Sequence, residues 1–228
     1  MTQEPPAPPA WMIQSFSRPR LAGYLRASGG DPGQAERLYW WNVEASAALY
    51  GPLHCLEISL RNALHHQLRA AYGRPDWWLA APLNEGGRRL TREAGRKGRR
   101  RGPGPVAPDH VVAELNFGFW VSLLSKGGRG GQYDRQLWVP ALHKAFPHYA
   151  GRRDELHGAL DALRLLRNRV MHHEPIHHRD LALDHRMIYR VLGWISTEAA
   201  KEIQVLDRFP AVLTHRAATC GGGRSPRF

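Results

Sequence analysis

Apolar residues recur at three- and four-residue intervals along most of the chain, the period of an amphipathic helix. Leu53, Leu60, Leu64 and Leu68 define one such stripe, with Leu56 at its edge, and Leu156, Leu160, Leu163, Leu166 and Val170 define another. Short β-branched runs between tight turns are nearly absent, so the pattern predicts an all-α helical bundle. Asp31-Pro32 supplies an N-cap and a first-turn proline for a helix over about 34–50. Gly51-Pro52 is expected to break that helix and to start the next, which runs from about Leu53 to Tyr72 and stops at Gly73. A further helical block is predicted from near Asp109 until the 127–131 stretch ends it. Others follow at about 134–145, 154–172 and 180–201, with a shorter one near the C-terminus. Four prolines make residues 1–10 a disordered lead-in, extended in the domain reading to 1–16. A single domain is expected over 17–217, and 218–228 (ATCGGGRSPRF after Ala217) as a flexible tail.

Composition narrows the partner class. Hydrophobic residues are 43% and charged residues 23%, ordinary for a globular chain. Thirty-two Lys+Arg against twenty Asp+Glu leave a formal charge of +12, which argues for a polyanion, nucleic acid first and a membrane surface second. Cys55 and Cys220 are too few for a disulfide framework or a four-cysteine zinc site. No run approaches the length of a membrane-spanning segment, and the N-terminus lacks the pattern of a signal peptide, so a cytoplasmic location is the expectation.

The stretch 88–101, RRLTREAGRKGRRR, sets eight basic residues against Glu93 alone and runs into GPGPVAP. It reads as a basic, Pro/Gly-rich loop insert over 88–108, either a solvated loop or an arm that tracks phosphates. Arg96, Lys97, Arg99, Arg100 and Arg101 are its candidate RNA contacts.

Charged residues on apolar faces carry more specific information. Glu57 lies inside the leucine stripe of its helix, with Arg61 one turn on and Asn62 and His66 on the flank. One reading is a structural Glu57–Arg61 ion pair that fixes helix register. The other makes Arg61 line a polar pocket, oriented by Glu57. On the later helix Arg167 falls at the edge of the stripe, Asn168 follows, and His172 comes near the helix end imposed by Pro175. Arg61 and Arg167 are each followed by Asn, and each has a His five residues on, at His66 and His172.

These residue types share a use. Arginine holds a phosphate bidentately and stabilises charge developing on it. A histidine removes a proton from one oxygen and returns one to another. Together they suffice for RNA cleavage without a metal: the 2′-OH attacks the adjacent phosphorus, the 5′-oxygen leaves, and a 2′,3′-cyclic phosphate remains. His172, His173, His177 and His178 crowd around Glu174, but the order H-H-E-P denies the H-E-x-x-H zinc geometry, so no metal and no cofactor are expected. The pairs Trp40-Trp41 and Trp77-Trp78 read as packing residues, and Cys55 as a small buried hydrophobe.

Three segments resemble the Abi-like (abortive infection) family of the HEPN superfamily: LEISLRNALHHQL with YGRPDWW (56–78), VVAELNFGFWVSLLS (111–125) and LRLLRNRVMHHEPI (163–176), the last matching R-N-x₃-H. The resemblance implies an all-α domain, commonly a homodimer, in which the Arg and His of two copies face one groove and cleave RNA. By position Arg167 would bind phosphate, His172 would act as acid and base, and Asn168 would support them. Glu57 and Arg61 match a Glu-x₃-Arg-Asn helix, and His66 would complete a second pair. The expected activity is an endoribonuclease in phage defence or a toxin, acting on single-stranded RNA or tRNA. The alternatives are a non-catalytic RNA-binding or regulatory module, or a toxin–antitoxin interaction partner whose basic arm docks an acidic antitoxin protein.

Overall fold

The computed structural model describes residues 7–99, 106–128 and 132–228, and all their regular structure is helical. The chain is all-α. It divides into two compact units, each assembled from separated stretches: Met1–Gly51, Arg169–His185 and Leu206–Phe228 form the first, and Pro52–Asn168 and Arg186–Val205 the second.

The first unit contains α1 (Ala10–Phe16), α2 (Arg18–Ala27), the opening of α3 (Pro32–Tyr72), α10 (Phe209–Thr214) and α11 (Arg216–Gly221). Asp31 caps α3 as its sequence predicts, its Oδ1 accepting from Gln34 N at 2.9 Å. Met12, Leu21, Tyr24, Leu38, Trp41, Leu49, Ile176, Phe209 and Val212 are buried in it. Trp41 Nε1 donates to the Val212 carbonyl at 3.2 Å, and the Arg216 guanidinium lies 4.5 Å over its ring. Glu44, only 1% exposed, takes two bonds from Arg224 at 2.8 and 2.9 Å, the bidentate geometry that a buried carboxylate requires. Phe228 stacks on Trp40.

The second unit takes the rest of α3, α4 (Glu85–Arg99), α5 (Pro108–Glu114), α6 (Phe117–Ser122), most of α7 (Arg153–Met171) and α9 (Thr197–Val205). The two leucine stripes read from the sequence are buried, Leu53 to Leu68 on α3 and Leu156 to Leu166 on α7. Each fully buried leucine contributes about 2–3 kcal/mol relative to exposure, so these stripes supply much of the driving force. Trp77, Phe119 and Trp120 form an aromatic cluster, with Phe119 edge-on to Trp120 at 5.1 Å, and Phe117 is buried too. Trp77 and Trp78 are both buried and lie on a 3₁₀ turn, not on an α-helix.

Several boundaries differ from the sequence expectation. The helix does not break at Gly51-Pro52: α3 runs through it for 41 residues. Pro52 forgoes one backbone hydrogen bond, at a cost of about 3 kcal/mol. Leu49, Leu53 and Leu56, buried on either side, offset that loss. The block from Asp109 is two helices, because Asn116 Oδ1 caps α6 by accepting from Phe119 N at 2.9 Å. Residues 134–145 form a π turn and a 3₁₀ turn, and 180–201 divides at Ser196, which caps α9, from α8 (Leu181–Ile195). Residues 10–16, read as part of the disordered lead-in, form α1. Of the segment read as a flexible tail, 218–221 lie in α11 and Arg224 holds Glu44.

The stretch read as a basic loop is helical through Arg99. Gly87, Thr91, Ala94 and Gly98, spaced four, three and four, form the buried face of α4. A Cβ on Gly98 would lie 2.5 Å from Val106 Cγ1, so the close approach of that valine requires glycine there.

Candidate functional site

Glu57 and Arg61 do not pair with each other. Arg167 Nε on α7 donates to Glu57 Oε2 on α3 at 3.0 Å, and Arg61 Nη1 donates to the Ala113 carbonyl at the end of α5 at 3.2 Å. Helical geometry explains the split. Glu57 lies among Leu53, Leu56, Leu60 and Leu64 and faces α7, whereas Arg61 is turned far enough around α3 to reach α5. The structure therefore unites Glu57 with Arg167 and gives Arg61 a structural bond.

The Arg167 side chain is 25% exposed, and Glu57 is its hydrogen-bond partner among the described residues. The bond through Nε leaves both Nη groups without a hydrogen-bond partner among the described residues. Their paired N–H groups are donors that arginine uses for bidentate oxyanion binding. Asn168, next on α7, is half-buried. Neighbouring cations are committed elsewhere: Arg164 Nε binds Asp161 at 2.7 Å, and Arg153 holds both Asp134 and the Leu124 carbonyl.

Asn62 and His66 are exposed on α3. His66 lines a surface cavity of about 370 Å³ with Arg69 and Arg74, the latter bound twice to Asp76. Its neighbour His65 is structural: its Nδ1 accepts from Trp77 Nε1 at 3.0 Å, and burial holds its pKa below the ordinary value.

In the first unit, α7 ends in a Schellman motif. His173 N donates to the Val170 carbonyl at 3.2 Å and Glu174 N to the Arg169 carbonyl at 2.8 Å, with His173 left-handed at φ 58°. His172 is the C-cap residue and is exposed. The turn beyond it is pinned on several sides. Arg20 binds the His173 carbonyl, Arg169 the Pro175 carbonyl, Arg216 the His177 carbonyl, and Asn42 Oδ1 accepts from both Ile176 N and His177 N. His172 thus projects from a rigid backbone.

No family model, curated protein or solved structure matches this chain.

The histidine cluster around Glu174 does not converge. His177 packs against Tyr24, with ring centroids 4.9 Å apart, and burial first, then His178 and Arg216, push its pKa down to about 4. Among the described residues no three His, Cys, Asp or Glu side chains gather as a metal ion would need. Nor is any described helix long and apolar enough to cross a membrane.

Opposite the buried face of α4, Arg92, Arg96, Lys97 and Arg99 are exposed. Lys97 lies 3.7 Å from Glu114, and Arg89 pairs with Glu93 at 3.0 Å. Arg100 and Arg101 lie outside the described residues. Sequence reasoning missed Arg20, Asn42, Glu44 and Arg224. Glu44 carried a signal, a lone carboxylate in the apolar run NVEASAALY, but its partner lies 180 residues away.

Proposed function

We propose that this chain is a metal-independent endoribonuclease of the Abi-like, HEPN type, acting in phage defence or as a toxin. The observation that carries the reading is the Glu57–Arg167 bond, which holds a part-exposed guanidinium whose Nη groups have no partner among the described residues. Arg167 binds the scissile phosphate and Asn168 supports it. His172 takes the 2′-OH proton as the O2′–P bond forms, and a proton delivered to O5′ accompanies cleavage of the P–O5′ bond. The products are a 2′,3′-cyclic phosphate and a 5′-hydroxyl. In a homodimer the two copies of His172 divide the base and acid roles. Single-stranded RNA or tRNA is the substrate class, the cytoplasm its place, and an acidic antitoxin its natural restraint.

The test is incubation of the purified protein with mixed cellular RNA in EDTA, beside folded His172→Ala and Arg167→Ala. Cleavage by the wild type alone, leaving cyclic phosphate ends, is expected. Equal cleavage by both variants would sink the proposal. The exposed cations of α4 favour a second reading, a non-catalytic RNA-binding module. Salt-sensitive binding that survives His172→Ala, without cleavage by any form, would select it.

A further inference from the structure

Beside the pinned turn, the first unit contains a cavity of about 290 Å³. Small-ligand pockets span about 300–1,000 Å³, so this one suits a single planar ring better than a larger ligand. Phe16, Tyr24, Tyr39 and Trp40 supply aromatic walls. Phe16 stacks on Tyr39 at 5.1 Å, and Tyr24 stands edge-on to Tyr39 at 5.2 Å. Arg20 and His173 complete the rim, one residue from His172.

The polar group that decides the ligand class is Asn42. It lines the cavity yet is only 4% exposed. Its Oδ1 is committed to the backbone N–H groups of Ile176 at 2.8 Å and His177 at 3.1 Å, which also fixes which end of the amide is oxygen. Nδ2 has no partner among the described residues, so it is left to a ligand or to water. An aromatic enclosure alone would equally suit a quaternary ammonium. Arg20 at the rim opposes a cation and favours an anionic ligand. Burial raises the pKa of both phenols, and Arg20 pulls each back, as expected of a guanidinium close to them.

We propose that this cavity is a base subsite, which takes one nucleobase of single-stranded RNA with Asn42 Nδ2 donating to a ring nitrogen or carbonyl oxygen and Arg20 meeting an adjoining phosphate. The choice of a nucleotide over other planar anions rests on the endoribonuclease reading. Because His173 lines the cavity, the enclosed base adjoins the linkage presented to His172. With Oδ1 committed, Asn42 offers this base a donor and no acceptor, so an edge bearing only donors is rejected.

The experiment titrates the full chain with the four nucleoside 5′-monophosphates and with ribose 5-phosphate, by calorimetry and ligand-observed NMR. Asn42→Asp retains the acceptor for the turn and removes the donor, and Ser46→Phe fills the cavity from its lining. Thermal melts establish that both variants fold. At least one monophosphate is expected to bind saturably, ribose 5-phosphate at least roughly tenfold more weakly. Asn42→Asp should weaken the nucleotide roughly tenfold, the effect of one lost hydrogen bond, and Ser46→Phe should abolish its binding. Ribose 5-phosphate binding as tightly as the nucleotides, or binding indifferent to both variants, overturns the subsite. Nucleotide binding sensitive to Asn42→Asp, with no RNA cleavage by any form, would sustain the subsite while the nuclease reading fails. Cleavage with no mononucleotide binding and an unaltered base preference in both variants would do the reverse.

Discussion

Arg167 Nε reaches Glu57 Oε2 at 3.0 Å across 110 residues of sequence, tying the R-N-x₃-H helix to the Glu-x₃-Arg-Asn helix. The relationship assigns roles that the sequence left open: Glu57 orients Arg167, and Arg61 anchors the end of α5. Both partners of the ion pair are partly exposed, so the bond is worth more as a fixed direction than as stability.

Glu57→Ala should therefore cost about 1–2 kcal/mol of stability and a larger share of activity. Glu57→Gln, which keeps an acceptor for Nε, should fall between. Single-turnover RNA cleavage, set beside chemical denaturation, separates the two effects. Undiminished cleavage by Glu57→Ala would remove Glu57 from any positioning role.

Adjacent histidines should behave in opposite ways. His173 occupies the left-handed position of the Schellman motif, where a side chain costs roughly 1–2 kcal/mol and glycine is usual. His173→Gly should be neutral or stabilising and should still cleave RNA, whereas His172→Ala should fold and not cleave. Loss of cleavage in His173→Gly alone would move the acid/base role one residue along.

Much of this was legible in the sequence where the determinants are local. The Asp31 cap, the leucine stripes and the stop at Gly73 follow from residues within a turn or two of one another. The failures have identifiable causes. Gly51-Pro52 carries a strong local stop signal, which burial on both sides of it overrides. The inner face of α4 repeats with helical spacing, but Gly87, Thr91, Ala94 and Gly98 carry too little hydrophobicity to reveal it. Glu57 showed itself as a charge in an apolar stripe, yet its partner was set by packing between helices and not by spacing within one. Asn42 and Arg20 gave no signal, since their importance arises from a turn more than 130 residues away.

The half-buried histidine beside Tyr24 makes stability sensitive to mild acid. His177 titrates near 4 in the folded protein against about 6.5 when unfolded, so between those values the unfolded chain binds more protons. Stability should fall as pH drops through that window, by about 2 kcal/mol once partial exposure is allowed for. His178, also lowered by burial, acts in the same direction. His177→Phe should flatten this part of the profile in urea denaturation series between pH 7 and 5. An unchanged slope would show that His177 is not the source.

The Glu44–Arg224 pair governs a more acidic limb. The Arg224 hydrogen bonds hold the Glu44 carboxyl below its ordinary 4.5 despite burial, so its contribution is present above that value and lost as pH falls through the depressed one. Arg224→Ala leaves a buried carboxylate uncompensated, at a cost of about 3 kcal/mol near neutrality. Burial, which raises the carboxyl, is then opposed by the Arg227 backbone bond and the Arg208 charge, so the carboxyl's pKa should rise and the variant should lose less stability on acidification than the wild type. Parallel acid slopes for the two proteins would contradict the role given to this pair.

The phosphate contacts proposed for α4 make a quantitative demand on salt dependence. Each cation that neutralises a single-stranded phosphate contributes about 0.7 to the slope of log affinity against log salt. Arg96 and Arg99 are exposed on the polar face of α4, whereas Lys97 lies 3.7 Å from Glu114 and is a weaker contributor. Arg96→Ala combined with Arg99→Ala should weaken RNA binding uniformly across sequences and flatten that slope by roughly 1.4. Neither substitution touches the buried face of α4, so stability should stay within about 0.5 kcal/mol of wild type. If the slope is unchanged while affinity falls, these arginines do not meet the backbone. A sequence-dependent loss would instead assign them to base edges, a role that their open, flexible side chains on an exposed helix face do not favour.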